Sequence, residues 1–216
     1  MLPMTKAVLW DFGGVILSSP FDAFRRYEAE HGLPIDFIRS VNTTNPHANA
    51  WALLERGEIT ADQFDVLFAD ESSILGHRVR GAAVLALLGG DIRPEMVATL
   101  DRVKQAGYQV ACLTNNVLGG DGERVGDDAR SVAVAAIMDR FDVIVESSKV
   151  GVRKPEPRFY EIACEMLGVR PDECNFLDDL GINLKPAAAM GMTTIKVVDP
   201  DVALQELSNH LGLTLA

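Results

Sequence analysis

Five short apolar runs, each giving way to a polar residue, punctuate the chain: Ala7 to Asp11, Tyr108 to Leu113, Phe141 to Val145, Cys174 to Leu177 and Thr193 to Val198. Their length and flanking turn residues suit buried strands. Between them, apolar residues recur at helical spacing: Met96, Val97, Leu100 and Val103 on one face, then Val132, Ala136 and Ile137, then Phe159, Ile162, Ala163 and Met166. Gly107 and Gly168 stand where two of these helices should stop, and Pro157 lies in the first turn of another. A short Ala-rich helix and a last one through Leu204, Leu207 and Leu211 complete the alternation. Strands separated by helices of this length predict a parallel sheet with right-handed crossovers, a doubly wound α/β core.

The segment after the first strand breaks this pattern. Phe21, Phe24, Tyr27, Trp51, Leu54, Phe64, Leu67 and Phe68 recur at helical spacings with no convincing strand, and Pro34, Pro46 and Gly57 divide the segment into several helices. The expected organisation is a core of residues 1–17 and 90–216, with a helical cap of residues 18–89 inserted after the first strand. The cap aromatics are expected to form its interior.

In open parallel sheets, ligands bind beyond the carboxyl ends of the strands. Asp11, Thr114-Asn115 and Asp178-Asp179 follow three of the apolar runs, and Lys154 lies in the loop after a fourth. One strand-end Asp is commonly only a helix cap. Several such positions on one edge point instead to a site. Three carboxylates brought together repel one another unless a cation sits among them, and oxygen ligands of this kind suit magnesium. With the metal and Lys154 supplying positive charge, Asp11 can attack phosphorus as a carboxylate nucleophile. Thr114 and Asn115 would then donate to the phosphoryl oxygens.

These residues resemble the motifs of the haloacid dehalogenase-like hydrolases. Asp11-Phe12-Gly13-Gly14-Val15 looks like the first motif and Leu113-Thr114-Asn115-Asn116 the second. Lys154-Pro155-Glu156-Pro157 looks like the third, and Phe176 through Asn183 the fourth. More narrowly, Gly151 to Lys185 is similar to the N-terminal phosphatase domain of soluble epoxide hydrolase and to the related domain fused ahead of some acyl-CoA dehydrogenase family proteins. The resemblance implies a magnesium-dependent phosphohydrolase acting on a small phosphorylated metabolite through an aspartyl-phosphate on Asp11. It implies magnesium held by Asp11, the Gly13 carbonyl and Asp179, with Asp178 in support. Gly14, Asn116 and Asn183 then fall to substrate contact.

One position departs from the family. Most of its phosphatases carry a second Asp two residues after the nucleophile, which protonates the leaving group; here that residue is Gly13. The expectation is slow turnover of alkyl phosphates, or an acid borrowed from His47, Glu55 or Arg56 of the cap. A lapsed domain that only binds a phosphorylated ligand or a partner is the alternative this departure supports. An L-2-haloacid dehalogenase uses the same nucleophile without magnesium, but resembles a site lacking the Asp178-Asp179 pair. A phosphorylated receiver places its acid pair before the phosphorylated Asp, whereas here the pair comes last.

Composition narrows the remaining classes. The 216 residues are 48% hydrophobic and 24% charged, with a formal net charge of -11 and a pI of about 4.8. So acidic a chain is poorly suited to nucleic acid or anionic membranes. Cys112, Cys164 and Cys174 form no CxxC pair and are expected as buried free thiols. With no signal-peptide pattern, a cytoplasmic setting is expected.

Overall fold

The computed structural model describes residues 4–116 and 129–215; residues 1–3, 117–128 and 216, which the expected core span includes, lie outside the described residues. A five-stranded, all-parallel sheet holds β1 (Ala7–Trp10), β2 (Gln109–Thr114), β3 (Val143–Glu146), β4 (Cys174–Asp178) and β5 (Thr193–Lys196) in the order β3-β2-β1-β4-β5. The predicted fifth strand is shorter than expected: the chain leaves it after Lys196, and Val198 is exposed.

β1 sits at the centre, and all four of its residues are fully buried because helices cover both faces. Its period-2 alternation divides the interior. Val8 and Trp10 face a cluster with Met96, Leu100 and Val103 of α6 (Pro94–Gln105), Ile137 of α7 (Ala129–Met138) and Leu204 and Leu207 of α11 (Pro200–Leu211). Ala7 and Leu9 face Phe159, Tyr160 and Ala163 of α9 (Pro157–Leu167) and Leu184 and Ala187 of α10 (Gly181–Ala189). The helix ends carry local signals. Pro94, Pro157 and Pro200 occupy first turns, and Gly168 and Gly212 close their helices at positive φ.

The insert after β1 contains α1 (Phe21–Glu30), α2 (Phe37–Thr43), α3 (Ala50–Glu55), α4 (Ala61–Ile74) and α5 (Gly81–Leu85). It has a hydrophobic cluster of its own, including Phe24, Ile38, Leu54, Phe64, Phe68 and Val84, with half-buried Trp51 edge-on to Phe64 at 5.4 Å. The cap aromatics are therefore interior rather than pocket wall. The chain leaves and re-enters the core through one zipped junction: Leu17 bridges Ile92 antiparallel, Ser18 donates to the Asp91 carbonyl (2.8 Å), and Arg93 to that of Ile16 (2.9 Å). A one-turn helix, α8 (Ser147–Val150), follows β3. All three cysteines are buried and free. Among the described residues no helix is long and apolar enough to cross a membrane.

Candidate active site

The sheet reverses its winding at β1, whose neighbours β2 and β4 lead in opposite directions, and Asp11 emerges at that switch point. Its backbone N–H still donates to the Leu177 carbonyl at 2.9 Å, so the carboxylate starts from a fixed base. Oδ1 accepts the Phe12 N–H at 2.6 Å and the Lys154 ammonium at 2.8 Å. Lys154 Nζ also reaches Asp178 Oδ2 at 2.7 Å, and only 1% of Lys154 is exposed. Asp178 is fully buried and accepts further from Leu180 N–H (2.8 Å) and Asn183 Nδ2 (3.0 Å). Asp11, Asp178 and Asp179 each bring one oxygen within 4.8 Å of the others.

Electrostatics make this cluster incomplete as it stands. Three carboxylates against one ammonium leave an excess of two negative charges if all are ionised. Burial, opposed by Lys154 and reinforced by Asp178 and Asp179, raises Asp11 well above the carboxylate range. Burial and the Asp178 charge push Asp179 up to about 6. Burial alone would lower Lys154, but Asp11 and Asp178 outweigh it and hold the ammonium charged. A donor set made only of carboxylate oxygens, whose ionisation is opposed until positive charge arrives, fits a hard divalent cation such as magnesium.

Two glycines shape the near wall. Gly14 takes φ +83°, and a Cβ there would lie 2.3 Å from Asp179 Oδ2, so the backbone runs directly against that carboxylate. Gly13 has ordinary extended dihedrals (φ -73°, ψ 127°), is exposed, and a Cβ on it would meet nothing within 4 Å. Space for a side chain exists at Gly13, and the residue leaves it open.

Thr114 ends β2 and is buried, and its hydroxyl takes no hydrogen-bond partner among the described residues. The Asn115 amide is turned toward Lys154 instead of outward: Oδ1 accepts the Lys154 N–H (2.8 Å) and Nδ2 donates to the Lys154 carbonyl (3.0 Å). The amides of Asn116 and Asn183, expected at the substrate, are likewise committed within the protein. Asn116 joins Glu146 and Ser148, while the Asn183 amide holds Asp178; the main-chain carbonyl of Asn183 accepts the Tyr160 hydroxyl at 2.7 Å. Amides withdrawn from water seek internal partners, and these are supplied by the end of β3 and α8 for Asn116 and by the end of β4 for Asn183.

Of the three cap residues, only Glu55 reaches Asn115; exposed His47 contributes its carbonyl to Arg56, which pairs with Glu58. Sequence reasoning missed Arg93 and Arg153. Arg93 Nη1 donates to the Gly14 carbonyl at 2.6 Å, and the whole insert separates the two in sequence, so no local spacing betrays it. Arg153 lies beside Lys154, where its adjacency was the available signal.

Removing the central ammonium gives the sharpest stability test of this geometry. Lys154→Met should cost about 3 kcal/mol, because it leaves two desolvated carboxylates facing each other. Urea unfolding in the absence of added metal measures this, and an unchanged midpoint would contradict it.

The fold is that of a known class: the chain belongs to the haloacid dehalogenase-like hydrolases, whose family model matches residues 5–191. It is 34% identical over 215 residues to acyl-CoA dehydrogenase family member 10 of Mus musculus, covering 97% of this chain and 19% of that protein. It is 33% identical over 219 residues to bifunctional epoxide hydrolase 2 of Mus musculus, covering 96% of this chain and 39% of that protein. The chain therefore spans less than half the length of either relative. L-2-haloacid dehalogenase from Xanthobacter autotrophicus shares the fold at a TM-score of 0.60 and 23% identity, over 99% of this chain and 85% of that one.

Proposed function

We propose that this hydrolase is a magnesium-dependent phosphatase of small phosphorylated metabolites, with Asp11 as the phosphoryl acceptor. The observation that carries this reading is the convergence of three carboxylate oxygens, of which only those of Asp11 and Asp178 meet the Lys154 ammonium. Asp11, the Gly13 carbonyl and Asp179 would hold magnesium, with Asp178 in support. The ion would supply positive charge opposite the phosphoryl oxygens.

The chain's own groups define the rest. Lys154 and the Phe12 N–H both engage Oδ1 of Asp11, which leaves Oδ2 as the attacking oxygen. In-line attack makes the Oδ2–phosphorus bond as the ester oxygen leaves with its electron pair, giving an acyl phosphate on Asp11; water then releases inorganic phosphate. The Thr114 hydroxyl is available to donate to a phosphoryl oxygen. Gly14, whose missing Cβ lets Asp179 close on the backbone, would keep that carboxylate at the metal.

No acid stands at Gly13 to protonate the leaving oxygen, so esters of acidic alcohols should react fastest. With magnesium present, p-nitrophenyl phosphate should outpace an alkyl phosphate by at least about 10²-fold, and chelation should stop both. Equal rates would refute the missing-acid account. No turnover across a panel of phosphorylated metabolites would refute the phosphatase reading, as would metal-independent dechlorination of L-2-chloropropionate.

A dehalogenase needs no cation at the acid pair. The retention of both Asp178 and Asp179 favours phosphate over halide. Gly13 gives one observation to the lapsed-domain reading, and turnover abolished in an Asp11 variant would exclude it.

A further inference from the structure

We propose that Glu55, a residue of the insert, is a positioning residue for catalysis: it fixes the Asn115 amide, which in turn clamps the backbone of Lys154. The inference rests on the phosphatase reading for its catalytic consequence and on geometry alone for the clamp.

Glu55 is the last residue of α3 and is 7% exposed. Its Oε1 accepts the Trp51 indole N–H at 2.9 Å. Its Oε2 crosses to the core, 2.5 Å from Arg153 Nε and 3.3 Å from Asn115 Nδ2. A buried carboxylate beside a phosphate site would ordinarily repel substrate; Arg153 cancels that charge, and its Nη1 also donates to the Pro46 carbonyl of the cap at 3.0 Å.

The consequence lies in the orientation of Asn115. Its amide holds Lys154 at two points, accepting from the N–H and donating to the carbonyl. A half-turn of that amide would break both bonds, since oxygen and nitrogen exchange places. It would also set Oδ1 against the Glu55 carboxylate, acceptor against acceptor. Glu55 therefore selects the one orientation that anchors Lys154, whose ammonium must meet both Asp11 and Asp178. The seat of α3 is equally fixed. A Cβ at Gly57, which follows the helix at φ +72°, would lie 2.8 Å from the Ser148 carbonyl, so cap and core backbones are in direct apposition there.

The test is a cycle of Glu55→Ala, Asn115→Ala and the double variant, with p-nitrophenyl phosphate and magnesium as the probe. Glu55→Ala should lower kcat about tenfold while KM moves less than about threefold, because the lost contact aligns a catalytic group and does not bind substrate. The double variant should be no slower than Asn115→Ala within about twofold, the signature of residues acting in series. Hydrogen exchange at the Lys154 amide should accelerate at least about tenfold in Glu55→Ala. Where Glu55→Ala fails to fold, Glu55→Met is read in the same way, since it keeps the bulk of the side chain and offers Asn115 no acceptor. An unchanged kcat, multiplicative effects in the cycle, or an equally protected Lys154 amide would overturn the proposal. Exchange needs no turnover. A wild type inert toward every phosphate, with Lys154 exchange still dependent on Glu55, would sink the phosphatase reading and leave the clamp standing.

Discussion

Asp11→Asn should lose at least about 10³-fold in kcat toward any phosphate the wild type turns over, yet its melting temperature should hold or rise. The amide keeps an oxygen for the Phe12 N–H and fits the same space, so the fold has no reason to suffer. What disappears is a nucleophilic carboxylate and, with it, one of three mutually repelling acids. Burial already raises Asp11 well above its ordinary range, which means that ionising it is costly in this setting. Function and stability are thus expected to move in opposite directions. A parallel loss of both, seen by calorimetry alongside kinetics, would indicate that Asp11 is a structural residue. Residual activity close to wild type would place the nucleophile elsewhere.

Gly13→Asp should raise kcat for alkyl phosphates by about 10²- to 10⁴-fold, the range a positioned acid–base group supplies. The position accepts a side chain without backbone strain, because φ and ψ are extended and no atom lies within 4 Å of an added Cβ. Aryl phosphates should gain far less, since their leaving groups depart without a proton. The ratio of the two rates is therefore the informative measurement. An unchanged alkyl rate would show that protonation is not what limits this protein, and a fall in both rates would show that a fourth negative charge overloads the cluster.

The core was legible because its signals are local. β1 to β5 follow from apolar runs, and Pro157, Gly107 and Gly168 mark helix limits through backbone geometry alone. Asp11, Thr114 and Asp178-Asp179 were legible because a parallel sheet presents its strand ends on one edge, whereas Lys154, in the loop beyond β3 and α8, was legible as the one cation of its motif before Pro155. The insert was read more coarsely. Its breaks at Pro34, Pro46 and Gly57 separate real helices, but the turn between α4 and α5 at Gly76 went unmarked. Side-chain direction was the other gap. Nothing in the spacing of Asn115, Asn116 or Asn183 says that each amide turns to a partner inside the protein, since that choice depends on which group tertiary packing brings within hydrogen-bond reach. Glu55 was only one of three cap candidates for the same reason: its selection required knowing where α3 docks.

The zipped junction at Leu17 and Ile92 brings the two ends of the excursion side by side, held at its base by the backbone hydrogen bonds from Ser18 to Asp91 and from Arg93 to Ile16. For the core, everything between those ends is a single closed loop, whose entropic cost grows only with the logarithm of its length. Extra turns or whole bundles could accumulate there with little penalty to the sheet. The whole of that stretch can thus be exchanged as one contiguous piece of sequence without re-registering a single strand of the sheet.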